Sequence, residues 1–125
     1  RQIGYLAPYI SEISFKMCSL LEDEDGLQIG AAATFGEGRD SIVGCIHPQS
    51  ILDAIDAIVD QASTRLDAIF ISCTSLRCAA VIDTAEAKHG IPVISSNSAI
   101  AWDMARLANL NVPQAGKGRL FYQDG

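Results

Sequence analysis

Four consecutive apolar residues, Ala68, Ile69, Phe70 and Ile71, stand between Asp67 and Ser72. A run this short, without polar alternation, reads as a strand covered on both faces, and therefore as a central strand of a sheet packed between helices. The neighbouring segments fit that placement. Ile3 to Ala7 is a second apolar run, closed by Pro8, and Leu27 to Thr34 and Ile91 to Ile94 supply two more. Between the strands, apolar residues recur at helical spacing. Ile10, Ile13, Met17, Leu20 and Leu21 precede the acidic turn Glu22 to Gly26. Pro48 opens a helix with the stripe Ile51, Leu52, Ile55, Ile58 and Val59, its opposite face carrying Asp53, Asp56 and Asp60. A further helix is expected from Ser75 to His89, stopping at Gly90, a natural left-handed C-terminal residue. A last one is expected from Ser98 to Leu110, with Ile100, Met104 and Leu107 along one face. The stretch holding Gly36, Gly38 and Gly44 carries charge without period and reads as a long loop.

Four strands alternating with helices predict an α/β fold, a four-stranded parallel sheet joined by right-handed crossovers with helices on both faces. The expected strand order is 2-1-3-4, flavodoxin-like. With 125 residues, 49% of them hydrophobic, the chain can build one such domain over 1–125 with a real core, and not two. Ligands of such sheets bind beyond the carboxyl ends of the strands, near the point where strand order reverses, here between the first and third strands.

Composition narrows the partners. Nine basic against fifteen acidic residues give a net charge of -6, which argues against a polyanion, so no nucleic acid is expected. No apolar run approaches the roughly 20 residues that span a bilayer, so no membrane partner is expected either. No secretory signal precedes the first strand, which points to the cytoplasm. Cys18, Cys45, Cys73 and Cys78 lack the paired spacing of a zinc site and are too few for a disulfide scaffold, so they read as free thiols with no metal. Neither a Walker loop nor G-x-G-x-x-G follows the first strand, and a receiver domain of this architecture would need an aspartate where Cys73 stands.

The four strand ends share one rim and bring the polar residues together. Strand one ends in Pro8-Tyr9, strand two in Phe35-Gly36, strand three in Cys73-Thr74-Ser75 and strand four in Ser95-Ser96-Asn97. A cysteine between a central strand and a helix N-terminus has its thiolate favoured by the helix dipole, which makes Cys73 the candidate nucleophile or proton carrier. The bland reading is a small buried residue at a strand end. Thr74 and Ser75 read as N-cap residues whose following amides could hold a carboxylate or a developing oxyanion. Ser95, Ser96 and Asn97 form either a second anion cradle or an ordinary helix cap. Tyr9 either donates its phenol to a substrate oxygen or stacks at the rim. His47 and His89 are given no role, Arg77 is expected in an ordinary salt bridge, Cys18 and Cys78 are expected to be structural on helices, and Trp102 is expected in the core or an interface.

The run Ile71-Ser72-Cys73-Thr74-Ser75-Leu76-Arg77, then Gly90-Ile91-Pro92-Val93, then Ser95-Ser96-Asn97 through Trp102, resembles the Asp/Glu racemase superfamily. Within it the chain is most similar to the branch of maleate cis-trans isomerase, arylmalonate decarboxylase and the ectoine-utilisation racemase-like proteins. Ala7-Pro8-Tyr9 resembles that branch's T-P-Y, and Gly118-Arg119-Leu120 its closing segment. Ala7 stands in place of the usual Thr and Ser14 where Asn is frequent. The resemblance implies the C-terminal half of a two-domain enzyme, with the active site between two similar halves. It implies chemistry without cofactors, in which two cysteines face each other across the cleft in racemases and isomerases, while a single one protonates an enediolate in the decarboxylases. Cys73 matches the C-terminal-half cysteine, Tyr9 the T-P-Y tyrosine, and Ser96-Asn97 the S-S-N loop.

The expectation is therefore a cofactor-independent isomerase, racemase or decarboxylase acting on a small (di)carboxylic acid through Cys73. Tyr9, Thr74, Ser75, Ser95, Ser96 and Asn97 would bind substrate. Because Arg1 leads directly into strand one, a chain about twice as long is expected, its missing N-terminal half or a second copy in a homo-oligomer completing the cleft. The alternative is a non-catalytic α/β module that binds small acids or serves as an assembly partner.

Overall fold

The computed structural model describes residues 1–112 and 117–122. Its order is β1 (Gln2–Ala7), α1 (Ser11–Asp25), β2 (Gln28–Thr34), α2 (Asp40–Val43), α3 (Pro48–Gln61), β3 (Ala68–Ile71), α4 (Ile82–His89), β4 (Val93–Ser95) and α5 (Ser96–Leu107), followed by a 3-10 turn at Arg119–Tyr122. The sheet is parallel throughout, in the order β2-β1-β3-β4 that the sequence predicts. β1 and β3 are the central pair, with Tyr5 opposite Phe70 and Leu6 opposite Ile71.

Strand residues alternate between faces, so the two sides of the sheet have separate cores. On one side Leu6, Ile69, Ile71 and Val93 pack with Ile51, Ile55 and Ile58 of α3 and with Val81, Ile82 and Ala85 at α4. Gly4 permits this approach, because a Cβ there would lie 2.7 Å from Ile58 Cγ2. On the other side Tyr5 is fully buried, its ring tilted against Phe70 at 6.2 Å between centroids. This second side is less complete. Ile3, Leu21, Leu27, Phe70 and Ile94 line an open apolar cleft. Ile10, Ile13 and Leu20 of the α1 stripe are exposed, as are Phe15 and the α5 residues Ile100, Met104 and Leu107.

Two expected helix boundaries move. No helix starts at Ser75: residues 74–81 form turns, and α4 begins only at Ile82. Leu76, Cys78 and Val81 are all buried, a spacing that no single helical face provides, so packing against the core overrides local propensity. Conversely, α5 begins two residues early, because Ser95 is the N-cap and exchanges bonds with Ser98 in a capping box. The loop after β2 contains the short helix α2, anchored by buried Val43. Gly90 ends α4 with φ 72°, as expected. No helix among the described residues is long and apolar enough to cross a membrane.

Candidate active site

Cys73 lies two residues beyond the end of the central strand β3 and adopts φ 102°, a conformation disfavoured for any residue with a Cβ. It is 8% exposed. Such a backbone costs on the order of 1–3 kcal/mol and persists only where its surroundings hold it. Three hydrogen bonds do so. The Ser72 amide donates to the Leu6 carbonyl at 2.8 Å. The Cys73 amide donates to Ser96 Oγ at 3.1 Å, and Asn97 Nδ2 donates to the Thr74 carbonyl at 2.9 Å. The turn carrying the thiol is thereby tied to the first turn of α5.

Tyr9 stands beside it. Its phenol lies 3.3 Å from Ser72 Oγ, and its carbonyl accepts from the hydroxyls of both Ser14 and Thr34. Ser14, at the position where the resemblance leads one to expect Asn, thus has a defined task in bracing the Tyr9 loop. Burial raises the Tyr9 phenol above its ordinary range, Ser72 opposes this, and the neighbouring Cys73 and Asp40 add to it. Near neutral pH Tyr9 is a hydrogen-bond donor.

The remaining expected site residues divide. Ser96 and Asn97 are drawn to the cysteine turn, as expressed in their bonds to residues 73 and 74. Ser95 is buried and its hydroxyl caps α5, although the residue also borders the cleft lined by Arg77 and Asn97. Thr74 is exposed and Ser75 half-buried in the turn, and neither is an N-cap. The helix dipole expected to act on Cys73 from a helix beginning at Ser75 is absent for the same reason. The helix whose N-terminus approaches the cysteine turn is α5. Ser72 escaped the sequence reading although it ends the apolar run one residue before Cys73, on the same sheet face as Phe70. That alternation was the available signal.

Other candidates take structural places. His47 caps α3, its Nδ1 accepting from the Gln49 amide at 3.0 Å. His89 and Lys88 both bond Asp56, at 2.7 and 2.6 Å, so one of the three α3 aspartates is a tether to α4 and not merely a solvated face. Arg77 makes no ion pair among the described residues, contrary to expectation, and lines a cleft of about 590 Å³ with Cys78, Ser95, Asn97 and Phe121. All four cysteines are free. Cys18 lies on α1, but Cys78 lies in the 74–81 turns and not on a helix. Burial, with Cys73 adding, pushes the Cys78 thiol up to about 12. Trp102 is half-buried beneath the Arg106 guanidinium, 5.6 Å from the ring centroid. No group of three or more potential metal ligands occurs among the described residues.

The parallel sheet of order 2-1-3-4 with its helices is the Asp/Glu racemase-type fold of the solved structures it matches. The chain superimposes with a TM-score of 0.88 and 26% identity on a cysteine-to-serine variant of Nocardia farcinica maleate cis-trans isomerase carrying a covalently bound succinylcysteine intermediate, covering all of this chain and 50% of that one. A liganded double mutant of arylmalonate decarboxylase gives a TM-score of 0.87 at 25% identity, over 97% of this chain and 51% of that one. The family model described as arylmalonate decarboxylase matches residues 1–121, and the chain belongs to that family. Among curated relatives, maleate isomerase of Nocardia farcinica is 30% identical over 125 residues, 99% of this chain and 48% of the relative. Arylmalonate decarboxylase of Bordetella bronchiseptica is 26% identical over 122 residues, 97% of this chain and 50% of the relative. The chain spans about half the length of the curated relatives it matches.

Proposed function

We propose that this chain is the cysteine-bearing half of a cofactor-independent isomerase, racemase or decarboxylase acting on a small carboxylic or dicarboxylic acid, with Cys73 as its acid, base or nucleophile. One observation carries the reading: in a member of this family, the residue held at φ 102° just beyond the central strand end is a cysteine, braced by Ser96 and flanked by a tyrosine phenol. Backbone strain of this kind gathers at functional sites, where it fixes a reacting group in place. Tyr9 donates to a carboxylate oxygen of the substrate, and the turn after Cys73, with Thr74 and Ser75, faces charge as it develops. Ser96 and Asn97 hold that turn in position. An N-terminal half, or a second copy, supplies the opposite wall of the cleft.

The test is Cys73→Ala in a polypeptide that contains both halves. Turnover is lost while the fold is kept. On this chain alone, site-resolved alkylation of the four cysteines across pH, with and without maleate, gives a second reading. Protection of Cys73 alone by the acid supports the proposal. Turnover that survives Cys73→Ala overturns the role given to Cys73, and a Cys73 that alkylates no faster than the other cysteines and is not protected by maleate favours a binding or assembly module.

A further inference from the structure

We propose that Tyr5 is a positioning residue of this site: its buried phenol works through Ser72 to set the direction in which the Tyr9 hydroxyl points its proton. The inference rests on the reading of Tyr9 as a substrate donor and adds the group behind it. Tyr5 has no exposed surface, and its hydroxyl has no hydrogen-bond partner among the described residues. A phenylalanine would fill the same space without burying a polar atom, so the hydroxyl calls for a role.

The register supplies one. Tyr5 is opposite Phe70, and the strand alternation places Ser72 on that same face, one step nearer the rim. Ser72 is buried, and its Oγ is 3.3 Å from Tyr9 Oη. The three hydroxyls therefore lie in sequence from the core to the rim. Tyr5 and Ser72 stand close without meeting hydrogen-bond geometry.

The chemistry gives the sequence a direction. Burial pushes the Tyr5 phenol up to about 12, opposed by Ser72, while Cys18 of α1, Tyr9 and Cys73 reinforce it. Tyr5 is thus a donor at any working pH. A serine hydroxyl has one proton and can accept from other donors. Ser72 is the hydroxyl toward which the unpartnered Tyr5 proton can close, and once Ser72 accepts it, the Ser72 proton is directed to the Tyr9 oxygen and the Tyr9 proton is left to point at a ligand. A chain of donors aligned this way is mutually reinforcing. Without Tyr5, Ser72 accepts from Tyr9 instead, and the proton turns inward. Tyr9 also faces Cys73 and, from α2, Asp40, which are common to both arrangements.

The test is an NMR titration of the chain labelled at tyrosine Cζ, whose three tyrosines, Tyr5, Tyr9 and Tyr122, give three resonances. In Tyr5→Phe the amide spectrum is kept and the Tyr9 titration moves upward by a few tenths of a pH unit. Ser72→Ala moves it in the same direction, and the double variant moves no further than Ser72→Ala alone. An unchanged Tyr9 titration in Tyr5→Phe, or a Tyr5→Phe shift that persists undiminished on the Ser72→Ala background, overturns the proposal. So does loss of the fold in Tyr5→Phe, which makes the hydroxyl a structural group, or a Tyr9 titration that ignores Ser72→Ala. Adding maleate separates the two readings: a Tyr9 resonance that ignores maleate while still shifting in Tyr5→Phe supports the relay and counts against Tyr9 as the substrate donor.

Discussion

The backbone amide of Cys73 donates to the hydroxyl of Ser96 across 3.1 Å, joining the central strand end to the first turn of α5. The bond runs between residues 23 apart in sequence and satisfies the Cys73 amide in its positive-φ turn. It makes the placement of the thiol depend on a residue that belongs to a different helix.

Removing the acceptor should therefore loosen the turn. Ser96→Ala is expected to lower stability by about 1 kcal/mol, the usual cost of an unpaired, partly buried amide. Denaturant unfolding measures this, and amide exchange at Cys73 should accelerate with it. No change in either quantity would mean that Ser96 does not hold the turn.

Strain at Cys73 makes an unusual prediction for glycine. Replacing alanine by glycine normally destabilises folded chains, but at φ 102° only glycine is free of the Cβ conflict. Cys73→Gly is expected to be more stable than Cys73→Ala by about 1 kcal/mol. The two midpoints in urea give the answer, and the reverse order would show that the backbone there is relaxed.

Two buried acids tie stability to alkaline pH. The folded-state values of Cys78 and Tyr5, both raised to about 12 chiefly by burial, lie above their ordinary values of 9.0 and 10.0. Each must shed its proton more readily once unfolded, so its contribution is full below the ordinary value and is lost as pH rises toward 12. Stability should fall from about pH 9 upward, by at most about 1.4 kcal/mol per pH unit for each proton. In Cys78→Ala the decline between pH 9 and 10 should become shallower, leaving the part due to Cys18, whose thiol is also raised, chiefly by burial. An equally steep decline in that variant would place the alkaline transition elsewhere.

Glu86 and Gly118 close the C-terminal segment. The buried Glu86 carboxylate accepts from the amides of Val93, at 2.9 Å, and Arg119, at 2.9 and 3.0 Å to its two oxygens. Gly118 adopts φ 98°, and a Cβ there would sit 2.6 Å from Ile82 Cγ2 and 3.2 Å from Glu86 Oε1. Gly118→Ala is expected to cost about 2–3 kcal/mol through strain and overpacking together. Thermal unfolding of the variant checks this, and a loss within a few tenths of a kcal/mol would mean that the segment yields.

Much of the fold was legible because it rests on periodicity. The unbroken apolar run at 68–71 required a doubly covered strand, and Ile51, Ile55 and Ile58 are buried where the helical stripe places them. The cysteine's position at a strand end followed from the same reading. The turns at 74–81 did not, because burial of Leu76, Cys78 and Val81 obeys tertiary packing and leaves no helical period to read. Nor could spacing tell that Ser95 is consumed by its own helix while Ser96, one residue on, turns to Cys73. That difference lies in the α5 start, and boundaries shift by a residue or two whenever several capping residues adjoin. Tyr5 reads in sequence as one more apolar strand residue, and its isolated hydroxyl emerges only when its neighbours are placed.

The exposed apolar surface of α1 and α5 bears on whether a second copy covers it. Phe15 is 74% exposed, Met104 64% and Leu107 66%, with Ile100 and Leu110 also open, which is more apolar surface than a free-standing domain of this size commonly leaves on two helices. If a second copy covers α5, the chain in solution has twice the 13.3 kDa monomer mass, and Met104→Glu with Leu107→Glu returns it to the monomer with its circular dichroism unchanged. Placing charges at a buried contact is costly, whereas the same charges on a solvated helix face are nearly neutral, so the mass separates the two cases. Sedimentation equilibrium of both forms makes the measurement. A wild-type chain that is strictly monomeric across the concentration range excludes a second copy on this face.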